Sequence, residues 1–145
     1  MKTLQIANFF LLMLSLAACG PAAAPPGLSL EDGWVRAMAP GMTMTAAYGR
    51  FVNNGPERIE IREFGSDSFE DVSLHETTIE GGVSKMQRLP GLIQEPGTGT
   101  VLAPGGLHLM LMRPLREIRP GDEVSLTLTA TNGERFRFTL PVRAR

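Results

Sequence analysis

The sequence predicts an all-β fold, a single antiparallel β-sandwich, and three observations carry that expectation. Beyond residue 28 no run of helical periodicity exceeds a turn or two, whereas short alternating apolar and polar segments recur between Gly, Pro and Asn. About nine such segments can be drawn, and none is separated from the next by enough sequence for a crossover helix. The 145 residues, 43% of them apolar, are the size of one domain with an ordinary core.

Taken in order, residues 1–18 read as an export signal. Met1-Lys2 precede the apolar run Ile6 to Ala17, which is short for a membrane span. Leu16-Ala17-Ala18-Cys19 resembles the lipobox of bacterial lipoproteins, which implies cleavage before Cys19 and acylation of that residue; an ordinary secretory signal ending near a cysteine is the alternative. Several acyl chains would anchor the protein to a membrane where one would not. Residues 19–27, with Gly20-Pro21-Ala22-Ala23-Ala24-Pro25-Pro26, suit an extended tether. The folded domain is expected over 28–145.

Within it, strands are expected at Gly33 to Ala37, Ala46 to Asn53, Arg58 to Phe64, Val72 to Thr78, Val83 to Gln87, Thr100 to Leu102, Leu107 to Met112, Glu123 to Thr131 and Arg135 to Val142. Val124, Leu126 and Leu128 alternate with Ser125, Thr127 and Thr129, and Phe136, Phe138 and Leu140 alternate with Arg135, Arg137 and Thr139. Each of these strands therefore has one dry and one wet face. Asn132-Gly133 between them signals a hairpin.

Net charge is −1 and the 14 basic residues are scattered, so no electrostatic footprint for nucleic acid is present. No Ser-His-Asp set, phosphate loop or convergent carboxylate pair is found, so no enzyme is expected. Cys19 is the only cysteine, which leaves the domain without a disulfide or a thiolate metal site.

The chemistry concentrates in the two histidines of the chain, His75 and His108, and in Met86 and Met110. In Leu107-His108-Leu109-Met110-Leu111-Met112 the leucines share one strand face and His108, Met110 and Met112 the other, with His108 and Met110 roughly 7 Å apart along the strand. If Gly81-Gly82 form a two-residue turn, Glu80 pairs with Val83 and Thr77 with Met86, which puts Met86 diagonal to His75 on one face. A turn of odd length would break that geometry. Thioether with imidazole suits a soft monovalent metal, and copper(I) is the usual occupant; zinc rarely accepts methionine, and calcium and magnesium want oxygen. Methionine also remains usable where a thiol would be oxidised. Against this, a single methionine in a β-domain is usually core filler.

The spacing from His75 through Met86 to His108 and Met110 resembles the periplasmic copper chaperones of the PCuAC type, with their signature H-x10-M-x21-H-x-M. The resemblance takes in Trp34-Val35-Arg36-Ala37, Thr45-Ala46-Ala47-Tyr48, Asn53-Asn54-Gly55, Val72-Ser73-Leu74-His75-Glu76, Leu102-Ala103-Pro104-Gly105-Gly106 and Gly121-Asp122, nearly the whole domain. It implies a Greek-key β-sandwich of the cupredoxin or immunoglobulin-like kind and one copper(I) held by His75, Met86, His108 and Met110. It also implies a monomer on the periplasmic side of the envelope that hands copper to an acceptor, a cytochrome c oxidase subunit or a Sco-like thioredoxin-fold protein. The chain ends at Arg145 without the His- and Met-rich tail of some members, so no second site is expected there. The readings left open are copper sequestration for tolerance and a structural or interaction lipoprotein that binds no metal. Trp34 is expected in the core or near the site. Met42 and Met44 are either an auxiliary thioether pair or two methionines in an exposed loop.

Overall fold

The computed structural model describes residues 27–144. The expected signal peptide, Cys19 and the tether up to residue 26 lie outside the described residues. The strands are β1 (Leu28–Arg36), β2 (Met44–Asn53), β3 (Ile59–Ser66), β4 (Phe69–Glu80), β5 (Val83–Arg88), β6 (Leu92–Gln94), β7 (Gly99–Leu102), β8 (Leu107–Pro114), β9 (Glu123–Ala130) and β10 (Arg135–Arg143). No helix occurs among the described residues.

Seven strands form a path β4-β8-β2-β1-β10-β9-β3, which a short β3–β4 pairing at Ser66 and Phe69 closes on itself. β5 adds to β4, β6 to β3, and β7 to the half of β2 that β8 leaves free. Neighbours distant in sequence, such as β8 between β4 and β2, give the expected sandwich its crossovers. One pairing departs from an antiparallel sandwich: β1 runs parallel to β10, with Val35 opposite Val142. A parallel neighbour needs a long connection, and here the rest of the domain supplies it.

The alternation read in the sequence decides the core. Val124, Leu126 and Leu128 of β9 are fully buried and face Leu109, Leu111 and Leu74 in one cluster with Val35, Phe51 and Leu140. Phe136 and Phe138 pack against that cluster from its margin, with the Phe138 ring 5.8 Å from that of Phe51. None of the buried core residues is a methionine. At the end remote from the histidines, buried Asn53 donates through Nδ2 to the carbonyls of Glu57 and Gln94 and accepts from the Gly55 N–H, fixing the β2–β3 connection.

Two elements differ from expectation. β1 begins at Leu28 rather than Gly33, because a register irregularity between Glu31 and Trp34, with Asp32 at φ +50°, interrupts the alternation. The bulge brings Gly33 against Gly49, where a Cβ on Gly49 would stand 2.9 Å from the Gly33 Cα. The three-residue β6 was not expected at all; it is too short to carry a period.

Candidate metal centre

β8 is the middle strand of the site, between β4 and β2. Leu109 and Leu111 turn into the core, so His108, Met110 and Met112 fall on the opposite face. Register then brings the other residues to them. His75 stands directly opposite His108, and Ser73 opposite Met110, across β4 and β8. Across β2 and β8, Ala46 is opposite Met110 and Met44 opposite Met112.

Met86 arrives through the β4–β5 hairpin. Gly81 and Gly82 have φ +58° and +79°, the two positive values that a two-residue type I′ turn requires. Glu80 therefore pairs with Val83, Thr77 with Met86 and His75 with Arg88. Met86 lies diagonal to His75 on one face, as the even turn demands, and is 56% exposed.

The two imidazoles are held differently. His108, 4% exposed, stacks near His75 with ring centroids 6.0 Å apart and lies 6.4 Å from the Tyr48 ring. Its Nδ1 is 2.9 Å from the Gly106 carbonyl, which can only accept, so Nδ1 carries the proton. In the neutral ring the lone pair is then on Nε2. The same carbonyl takes the Thr77 N–H at 3.1 Å, tying the Pro104-Gly105 turn to β4 and setting the ring. His75 Nε2 lies 3.0 Å from Ser73 Oγ, whereas its Nδ1 is buried without a hydrogen-bond partner. Donation from Nε2–H to Ser73 leaves a bare lone pair on that buried Nδ1, an unmet acceptor that a cation would satisfy. Burial, then the neighbouring His108 and Arg88, hold the His75 pKa below its ordinary 6.5 against the opposing pull of Asp71, so the ring favours its neutral, donor form.

A cavity of about 580 Å³ opens over this face, lined by His108, Met110 and Met86 together with Met38, Met42 and Met44. Three of the four expected ligands thus share its wall, and His75 sits beside His108 outside the lining. Among the described residues no three His, Cys, Asp or Glu side chains group as metal ligands. A cation at this face would therefore take thioether alongside imidazole, a donor set for a soft, monovalent ion.

Sequence reasoning missed the roles of Ser73, Thr77 and Gly106, which orient the rings. The signal for Ser73 was present, since it shares the parity of His75. The Gly106 carbonyl is a backbone group with no residue-type signature. Trp34 is near the site: it packs on Tyr48 at 4.8 Å in a small cluster with Ala46, apart from the main core, while Arg36 lies over the Tyr48 ring at 5.4 Å. Met44 lies on β2 rather than in a loop, and Met42 stands just before it.

The closed all-β sandwich matches the fold of PCuAC domains. The copper-bound PCuAC domain from PmoF2 superposes with a TM-score of 0.67 at 22% identity, over 84% of this chain and 97% of that one. The solution structure of copper(I)-bound DR1885 from Deinococcus radiodurans gives a TM-score of 0.65 at 29% identity, over 88% of this chain and 84% of that one. The sequence pattern of the LpqE-like putative lipoproteins matches residues 28–142, and the chain belongs to that family. A putative lipoprotein of Leifsonia xyli subsp. xyli, Lxx21020, is 31% identical over 131 residues, covering 90% of this chain and 78% of that protein.

Proposed function

We propose that the protein is an extracytoplasmic copper(I) chaperone that holds one ion through His75, Met86, His108 and Met110 and passes it to a cuproprotein under assembly, cytochrome c oxidase being the expected destination. The observation that carries this reading is the direct pairing of His75 with His108, with Met110 and Met86 on the same face. The copper(I) in the related DR1885 structure supports the choice of ion. Copper(I) is cargo here, so the protein needs only to bind it, shield it and release it. His108 would donate through Nε2, because the Gly106 carbonyl holds the proton on Nδ1, and His75 would donate through Nδ1 when its Nε2–H is given to Ser73 Oγ. Exposed Met86, on an edge hairpin, is the ligand that an acceptor can displace first.

Membership of a family of putative lipoproteins supports an envelope location, and the sequence before Cys19 supports a lipid anchor there on the periplasmic side. An anchor would confine delivery to acceptors at the same membrane. Titration with copper(I) under anaerobic conditions, against a competing chelator, tests the reading. The wild type should take one tight equivalent, and H108A/M110A should lose it while keeping the β-sheet circular dichroism. Unchanged affinity in that double variant would refute the ligand set.

A further inference from the structure

The methionines that the four-ligand reading does not use are distributed in a way that packing does not explain. The described residues contain Met38, Met42, Met44, Met86, Met110 and Met112. Five of them line the one cavity over the site, and the sixth, Met112, is paired with Met44. The buried core contains none, and of the six only Met38 packs against its margin, so the other five are not the gap-filling methionines common in hydrophobic interiors. Met42 and Met44 are instead 54% and 45% exposed at the cavity mouth.

Their position defines a second bank. β8 carries His108 and Met110 in the middle. β4 and β5 bring His75 and Met86 from one side, and β2 brings Met44 from the other. Met44 is diagonal to Met110, because Ala46 is opposite Met110 and Met44 opposite Met112. Diagonal neighbours are about 7–8 Å apart at the backbone, so an ion held at Met44 stands within reach of the Met110 thioether for ligand exchange. Met42 lines the same wall two residues earlier, where its N–H donates to the Ala39 carbonyl at 3.1 Å and closes the Pro40-Gly41 turn beside the cavity.

We propose that Met42 and Met44 form a second, thioether-only holding point for copper(I) at the cavity mouth, weaker than the four-ligand site and open to the solvent side. Thioether carries no proton in the accessible pH range, and copper(I) accepts two or three soft donors, so an ion can occupy this bank without a change of oxidation state or proton transfer. Copper would pass between the banks by exchanging ligands one at a time along the methionine-lined wall. The inference rests on the four-ligand reading for its destination, but the holding point itself depends only on Met42 and Met44.

The test is titration of the purified protein with silver(I), a redox-inert ion of the same charge and softness, read through the ¹³C-methyl NMR signals of its methionines. The first equivalent should shift Met86 and Met110, and a second, bound at least tenfold more weakly, should shift Met42 and Met44. M42L/M44L, which keeps side-chain volume at two exposed positions, should retain the first equivalent within about twofold and lose the second. Met42 and Met44 signals that stay unmoved through several equivalents, or a second equivalent undiminished in M42L/M44L, would overturn the proposal. Failure of the four-ligand reading looks different: Met86 and Met110 would not move with the first equivalent, whatever Met42 and Met44 did.

Discussion

At the scale of single residues, the site depends on which nitrogen of each imidazole is free. The Gly106 carbonyl fixes the proton on His108 Nδ1, and Ser73 Oγ is the hydrogen-bond partner of His75 Nε2. Removing the hydroxyl with Ser73→Ala should leave the His75 ring free to turn and change tautomer. Partners of this kind typically matter about 10–100-fold in metal affinity. Copper(I) competition titration of S73A should therefore show a loss in that range with the fold intact, and wild-type affinity would deny Ser73 an orienting role. Protons act on the same ring with a definite sign. The folded His75 pKa lies below its ordinary 6.5, so between those two values the unfolded chain binds more protons than the folded one. Apo-protein stability should accordingly fall as pH drops from 6.5 through the folded pKa and be insensitive to this ring above 6.5. Urea unfolding at a series of pH values should give a shallower acid decline for His75→Gln than for the wild type. The placement of His75, Met86, His108 and Met110 on one face was legible in the sequence because residue type and strand parity are both written there. The hydrogen bonds that select the donor nitrogens were not, since one partner is a backbone carbonyl brought in by a turn.

At the scale of elements, the site is a consequence of register. The Gly81-Gly82 turn sets an even count between β4 and β5, which puts Met86 on the His75 face. Inserting one alanine between these glycines should invert the parity of β5, because a one-residue slip turns every side chain to the other face. β5 is exposed along its whole length, so the core should not resist the change. The expected outcome is an unaltered far-ultraviolet spectrum with the Met86 methyl no longer shifted by silver(I); a Met86 shift that persists would show that the turn does not dictate its placement. Alternation over β8, β9 and β10 was strong enough to read directly. β6 has three residues and no measurable period, and the bulge in β1 hid the start of that strand. At Asn132-Gly133 the hairpin was signalled correctly but not its form. Asn132 keeps a negative φ and only Gly133 is left-handed, at +86°, so the loop is longer than a two-residue turn.

For the whole molecule, core and site lie on opposite faces of the same strands. Leu109 and Leu111 hold β8 in the interior while His108 and Met110, which alternate with them in sequence, build the outer face. Leu111→Ala, at a position with no exposure, should cost about 2–5 kcal/mol in denaturant unfolding. A much smaller loss would mean that β8 is not seated as described. The all-β sandwich class was evident from composition and alternation. The parallel β1–β10 pairing was not, because strand neighbours that are distant in sequence leave no local trace. The central claim is that copper(I) binds this face through imidazole and thioether together. X-ray absorption at the copper edge, on the protein loaded with one equivalent of copper(I), tests it most directly. A first shell with both nitrogen and sulfur, which loses its nitrogen in H75A/H108A, is the predicted result; a shell without nitrogen in the wild type, or one unchanged in that variant, would contradict it.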